Sequence, residues 1–172
     1  MKHIIVLILF SVLFSCSTTN NRKVLKKDKV PEYAIKLKKL FKIKKASNWE
    51  EHYFHGILSY SPIELREKLV ADSNYLWINA FESKTSLIRY IEQKNNHSQW
   101  IRVKTKNTDY GLCYTDRRTF SKNGKTYMNL RDIYMYEGKI YELILFFESE
   151  NFYKYLDEAV AMMESFEIIK EE

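Results

Sequence analysis

The sequence is poor in residues that define several protein classes. Its 172 residues include only 4 Gly, 2 Pro and 2 Cys. So few Gly and Pro exclude a collagen-like or low-complexity chain, and two Cys cannot build a framework of disulfides. The chain also lacks a phosphate-binding loop, a serine-hydrolase elbow, a zinc-protease motif and a Cys-x-x-Cys pair. The sequence therefore predicts no catalytic residues, no metal site and no cofactor.

The remaining composition is typical of one globular domain. Apolar residues make up 45% and charged residues 29%, which excludes a polytopic membrane protein and a wholly disordered chain. The length is that of a single domain. Aromatic residues reach 15%, chiefly 13 Tyr and 10 Phe, and this enrichment favours β-strands.

A short apolar run lies near the start of the chain, at residues 4–14. It is too short to cross a bilayer, which takes about 20 residues, but has the length of a signal-peptide core. It leads into Leu13-Phe14-Ser15-Cys16, which resembles the lipobox of bacterial lipoproteins, although Phe14 is bulkier than usual. The resemblance implies a signal peptide over residues 1–15 and acylation of Cys16. The alternative is an ordinary secreted protein that is cut nearby.

Ser17 follows the cysteine, where lipoproteins retained in the inner membrane of Gram-negative bacteria carry Asp. The resemblance therefore implies a protein anchored in the outer membrane and facing the periplasm. Two or more acyl chains on Cys16 would hold it stably at the membrane.

A basic arm precedes a mildly acidic domain. Residues 17–45 contain eleven Lys and Arg against two Asp and Glu, while residues 46–172 contain sixteen basic and twenty acidic side chains. Residues 16–32 are predicted to be a flexible tether, because they hold too few apolar side chains to offset the entropy of ordering. A secretory signal argues against nucleic acid as the partner. Five basic residues of the tether would instead lie near lipid headgroups: Arg22, Lys23, Lys26, Lys27 and Lys29.

Residues 33–172 predict a single α+β domain, in which helices pack on the faces of a mostly antiparallel sheet of six or seven strands. A short helical turn is expected to lead into a strand near residues 40–45, and a strand is expected over 52–60. Ser61 and Pro62 then fit the N-cap and the first position of a helix. A further strand is predicted over 74–82.

The second half of the chain has clearer local signals. A helix is expected from Ser83 or Thr85, with Leu87, Ile88 and Ile91 on one face. Residues 99–106 alternate as a half-buried strand would. Hairpins are predicted at Asn123-Gly124, and between strands 126–136 and 140–148. A helix over 150–165 buries Phe152, Leu156, Ala159, Val160 and Met163, and a short strand follows over 166–169.

Two stretches carry a resemblance to a known fold. One comprises Phe41-Lys42-Ile43-Lys44, Asn48-Trp49 and the segment at 56–62; the other comprises the hairpin at 133–143 and the helix that closes on Glu164-Ser165-Phe166. They resemble the Mog1/PsbP-like fold, although Ala46-Ser47 stands where many members have Pro before the Trp. The resemblance covers residues 40–169. It implies an α/β/α sandwich and a binding or accessory role, exercised by docking to a larger assembly.

Few single residues suggest chemistry. His52 and His55 would point to opposite faces of a strand, so they cannot share a metal. Cys113 has apolar neighbours and is expected to be a small buried side chain. Asp116 and Arg118 share a strand face and are expected to form a solvated ion pair.

Tyrosines provide the remaining candidate site. If Tyr134 and Tyr136 are exposed beside Tyr127, the three would form a patch that binds a partner. The leading functional interpretation is a lipid-anchored, non-catalytic envelope protein that docks to another envelope component. The alternatives are a small envelope hydrolase without a recognisable motif and an envelope immunity or inhibitor lipoprotein.

Overall fold

The structure is a computed structural model that describes residues 30–54, 57–68, 73–95 and 99–170. The predicted signal peptide, Cys16, the five basic tether residues and His55 lie outside the described residues. The described elements are α1 (Glu32–Lys38), β1 (Phe41–Lys42), β2 (Trp49–Phe54), β3 (Ile57–Pro62), a 3₁₀ helix (Ile63–Lys68), β4 (Tyr75–Glu82), α2 (Leu87–Asn95), β5 (Ile101–Thr108), β6 (Gly111–Lys122), β7 (Lys125–Tyr136), β8 (Lys139–Glu148), α3 (Ser149–Glu164) and β9 (Glu167–Ile168).

Seven strands form one antiparallel sheet in the order β2-β3-β4-β8-β7-β6-β5. The short strands β1 and β9 pair with each other in a separate antiparallel ribbon. This arrangement confirms the predicted α+β class and the mostly antiparallel sheet.

Two tight turns fix the centre of the sheet. Asn123 and Gly124 have φ of 53° and 75°, and Glu137 and Gly138 have φ of 49° and 73°. Positive φ at both central residues defines a type I′ hairpin, whose twist matches that of the flanking strands. The two turns place β6, β7 and β8 side by side, as the sequence predicted.

One face of the sheet is covered by α3, with α1 beside it. The buried residues of α3 pack on Leu143, Leu145 and Phe147 of β8. Trp49 is the largest fully buried side chain, and its Nε1 donates to Glu158 Oε2 on α3 at 2.6 Å. The prediction of buried positions on α3 is confirmed for Phe152, Ala159 and Met163. The sequence missed the buried Tyr155 and Met162, and it wrongly included Leu156 and Val160, which are only half-buried.

The opposite face is covered only in part by the described elements. Tyr90 and Ile91 of α2 pack on Ile133 and Ile140 at one end of β7 and β8. Ile88, expected on the same helical face, is 56% exposed. The candidate site lies on the part of this face that α2 does not reach.

Residues 49–62 differ from the prediction of one strand and a capped helix. They form two strands, β2 and β3, and Pro62 is the last residue of β3, paired with Trp49. Its missing N–H is tolerated because β4 pairs only with Leu58, Ser59 and Tyr60 of this strand. The helix that follows is a 3₁₀ helix from Ile63, so Ser61 is not its N-cap.

The alternation of residues 99–106 predicted a half-buried strand, and this prediction is wrong for β5. Ile101 and Val103 are 59% and 51% exposed. The reason is position, since β5 is the edge strand of the sheet.

Candidate binding site

Aromatic side chains cover much of the open part of the sheet face. In β4 and β8, Tyr75 pairs with Phe146 and Trp77 with Ile144, so these residues project to the same side. The ring centroids of Tyr75 lie 5.8 Å from Trp77 and 5.6 Å from Phe146. Tyr127 stacks on Phe146 at 5.4 Å, which continues the ring cluster onto β7.

A cleft of about 200 Å³ opens among these rings. We call it the aromatic cleft. Its lining, as far as the structure describes it, contains one cationic side chain and no carboxylate: Tyr75, Trp77, Trp100, Arg118, Asn129, Ile144 and Phe146. Such a combination of apolar walls and a few polar groups is typical of a small ligand site.

Arg118 is the charged group of the aromatic cleft. Its guanidinium lies 4.8 Å from the ring centroid of Trp100 and 4.5 Å from that of Phe120. When the Asn129 amide is oriented to satisfy both of its neighbours, Arg118 Nη2 donates to its oxygen at 3.1 Å. No carboxylate of the described chain pairs with Arg118. Burial, together with the charge of Arg131, lowers the pKa of this guanidinium.

Two N–H donors of lining residues have no acceptor. Trp77 Nε1 and Arg118 Nε are both shielded from solvent, and neither has a hydrogen-bond partner in the described part of the chain. A buried donor without an acceptor is costly, and most such groups in proteins are satisfied. These donors therefore suit a ligand that brings acceptor atoms.

A buried ionic network lies beside the cleft. Asp116, which is fully buried, accepts a hydrogen bond from Arg131 Nη2 at 2.9 Å and another from Arg102 Nε. Arg131 Nη1 also lies 3.8 Å from Glu142 Oε1. The Arg131 guanidinium packs 4.0 Å from the ring centroid of Trp100. The network thus supports one wall of the cleft.

This network corrects the prediction for Asp116 and Arg118. They share a face but are not an ion pair, and Asp116 is buried rather than solvated. The reason lies in the strand pairing, which sets Asp116 directly opposite Arg131 on β7 and Arg102 on β5. Arg118 pairs instead with Asn129, an uncharged residue.

A second cavity, of about 390 Å³, lies between α2 and the outer strands. Ile88, Ile91 and Asn95 of α2 line it, as do Arg102 and Tyr114. Asn95 Oδ1 accepts a hydrogen bond from Arg131 Nη2 at 2.9 Å, so the ionic network reaches this cavity too.

The three tyrosines predicted as a patch are not brought together. Tyr134 is 4% exposed and packs against Phe166 at 5.4 Å, on the face that α3 covers. Tyr136 lies on that same side and is half-buried against Tyr110. Tyr127 lies on the opposite face, because residues an odd number apart along a strand point to opposite sides. Only Tyr127 belongs to the ring cluster of the aromatic cleft.

The other candidate residues have structural surroundings. Cys113 is fully buried, as expected, and burial with the nearby charge of Asp132 raises the pKa of its thiol to about 11. His52 Nε2 lies 2.8 Å from Ser61 Oγ. Within the described ranges, no three His, Cys, Asp or Glu side chains are grouped so that they could hold a metal ion. Nor does any helix in those ranges have the length and apolar character needed to cross a membrane.

Sequence reasoning missed Trp77, Trp100 and Arg118 as site residues. The Asn123-Gly124 turn contains a usable signal, since it fixes the pairing of Arg118 with Asn129. The pairing of Trp77 with Ile144 joins strands far apart in the chain, and no local pattern indicates it.

Comparison with known proteins shows similarity at the level of structure. No protein-family model matches the chain, and no curated protein matches it. A protein of Bacteroides thetaiotaomicron is similar with a TM-score of 0.52 and 18% identity, over 77% of this chain and 46% of that one. The chain therefore spans about half the length of that protein.

Two further solved structures are similar. One is LpqN, which is involved in cell envelope biogenesis of Mycobacterium tuberculosis, with a TM-score of 0.53 and 11% identity over 76% of this chain and 83% of LpqN. The other is the cyanobacterial PsbP of Synechocystis sp. PCC 6803, with a TM-score of 0.33 and 14% identity over 76% of this chain and 93% of that one. The Bacteroides and Mycobacterium structures share the fold of this chain.

Proposed function

We propose that this chain is a lipid-anchored protein of the bacterial cell envelope, and that it binds another envelope component through the aromatic cleft without catalysing a reaction. The observation that carries the proposal is Arg118, a half-buried cation with no carboxylate partner in the described chain, in a cleft lined by aromatic rings. The shared fold with LpqN, a protein of envelope biogenesis, supports the cellular setting.

The proposed anchor is an acylated Cys16, in the outer membrane and facing the periplasm. The lipobox-like sequence at residues 13–16 supports it, and the basic tether would add attraction to anionic headgroups. Cells fed with labelled palmitate should label the natural chain and leave a Cys16→Ala variant unlabelled. Equal labelling of the two chains, or none in either, would reject the anchor.

Site-specific photo-cross-linking tests the docking role. A photoreactive phenylalanine at position 127 lies beside Phe146 at the cleft, whereas position 153 is 69% exposed on the helix that covers the other face. In intact cells, we expect position 127 to form an adduct with one envelope component and position 153 to form none. Adding Trp77→Ala to the variant that carries the probe at position 127 should reduce that adduct. An identical adduct from both positions would contradict docking through the cleft.

A further inference from the structure

We infer that the aromatic cleft binds a carboxylate joined to a flat apolar group, with the carboxylate on Arg118 and the flat group between the rings. The inference rests on the proposed function, because it names the ligand chemistry of the same cleft. The shared chemistry has two sources, a small free acid and the C-terminal carboxylate of a chain that ends in an aromatic residue.

The charges on this face favour an anion. Asp116 contacts Arg131 and Arg102, and Glu142 lies near Arg131, so both carboxylates already have cationic partners. Arg118 has no carboxylate partner among the described residues, and the positive charge of Arg131 lies close enough to lower the pKa of its guanidinium. A ligand carboxylate would balance this charge, and a guanidinium binds a planar carboxylate through two parallel hydrogen bonds.

The walls of the cleft favour a flat and mostly apolar body. Tyr75, Trp77 and Phe146 present rings on one side, and Trp100 presents a ring beside Arg118. Aromatic rings pack well against another ring, in stacked or edge-to-face contacts. The two lining groups that lack a partner within the described residues, Trp77 Nε1 and Arg118 Nε, are both donors, which suits carboxylate oxygens better than sugar hydroxyls that must also donate.

The size of the cleft limits the ligand. At about 200 Å³ it is smaller than the roughly 300–1,000 Å³ of sites that enclose drug-sized molecules. It can hold one ring with a short acidic arm. Within the described residues, Trp77 Nε1 and Arg118 Nε have no acceptor, and both belong to side chains that line the cleft, so a ligand with acceptor atoms suits these walls.

Calorimetric titration of the full chain tests the ligand chemistry. We expect 3-phenylpropionate to bind, and its neutral amide to bind at least about tenfold more weakly because a charge-assisted hydrogen bond is lost. Propionate, which lacks the ring, should also bind at least about tenfold more weakly than 3-phenylpropionate. Equal affinity for the acid and the amide would overturn the inference, as would a failure of 3-phenylpropionate to bind.

Neighbouring arginines give a matched pair of variants. Arg118→Gln should weaken 3-phenylpropionate at least about tenfold. Arg117→Gln should leave binding unchanged, because Arg117 is exposed and points to the opposite face. Circular dichroism and the melting temperature check that both variants fold. Equal weakening by the two substitutions would show that the effect is general charge attraction and would overturn the assignment to the cleft.

Peptide ligands separate the two sources. A short peptide that ends in Phe with a free carboxylate should bind more tightly than its C-terminal amide, if the source is a chain terminus. If the peptide binds no more tightly than its amide while 3-phenylpropionate retains its preference over the neutral form, the source is a small free acid. Cross-linking from position 127 without binding of any acid would overturn this inference and leave the proposed docking role standing. Acid binding without a cross-link from position 127 would support this inference and contradict the proposed docking role.

Discussion

Neutralising Asp116 tests the buried ionic network that supports the aromatic cleft. Asp116→Asn keeps the shape of the side chain and removes its charge. Arg102 can turn toward water, since more than a third of its side chain is exposed, but Arg131 is almost fully buried. Among the described residues, Arg131 would then keep one carboxylate, Glu142 at 3.8 Å, beside the uncharged Asn95 and the ring of Trp100. The cost of the substitution therefore falls on Arg131.

Removing one partner of a buried ion pair destabilises proteins by about 3–5 kcal/mol. We expect the lower end of this range, about 3 kcal/mol, because the new amide still accepts one hydrogen bond and Glu142 remains near Arg131. Folded domains are stable by only about 5–15 kcal/mol in total. For a chain of this size, the loss corresponds to a melting temperature lower by roughly 6–12 °C.

Urea unfolding, followed by circular dichroism, measures the change, and the two arginines that directly follow Asp116 in β6 serve as comparisons. Arg117→Gln, on the exposed side, should change the free energy of unfolding by no more than about 0.5 kcal/mol. Arg118→Gln should cost less, about 1–2 kcal/mol, because it removes contacts with two rings and one hydrogen bond but no carboxylate partner within the described chain. A loss below about 1 kcal/mol for Asp116→Asn, or an equal loss for Arg118→Gln, would refute this account.

Single sites elsewhere in the fold give the remaining predictions. In a Cys16→Ala chain, Cys113 should resist thiol reagents at pH 8 and react fully in denaturant, because its raised pKa keeps the thiol protonated and burial blocks access; rapid labelling of the folded chain would contradict this. Because the pKa of the Cys113 thiol is raised in the folded state, its contribution to stability is complete below the unfolded-state pKa and is lost as pH rises toward 11. The free energy of unfolding in urea should therefore fall less between pH 8 and pH 11 in a Cys113→Ala variant than in the natural chain. Gly138→Ala should lower the free energy of unfolding, measured by thermal denaturation, by about 1 kcal/mol. The cause is backbone strain alone, because φ is 73° and no described atom lies within 4 Å of the added methyl group. Trp49→Ala should cost about 3–5 kcal/mol, since it empties a fully buried site and removes the hydrogen bond to Glu158, and a smaller change in urea unfolding would contradict this packing role.

Local signals predicted much of the fold. The two type I′ turns require residues that tolerate positive φ, and Asn123-Gly124 and Gly138 are such residues. The apolar positions of α3 repeat with the period of a helix, so its extent was predicted within one residue at each end. These elements depend on interactions between residues close together in the chain, which a sequence displays directly.

The candidate site depends on pairings that the sequence does not display. Trp77 reaches the cleft because β4 pairs with β8, more than sixty residues further along the chain. Asp116 is buried because Arg131 and Arg102 lie opposite it on two different strands. The alternation in β5 predicted burial, but its place at the edge of the sheet left Ile101 exposed. In each case the environment of the residue is set by a neighbouring strand.

Arg118 and Arg131 lie on the same face of the sheet and have different roles. Arg131 is buried, and its charge is balanced by Asp116 and Glu142, so it stabilises the fold and supports Trp100. Arg118 packs on two rings and has no carboxylate partner in the described chain, and burial lowers the pKa of its guanidinium. A group whose local surroundings do not favour its charge is characteristic of a functional site. The position of Arg118 in the aromatic cleft therefore supports the proposed ligand binding, rather than stability, as the reason for its charge.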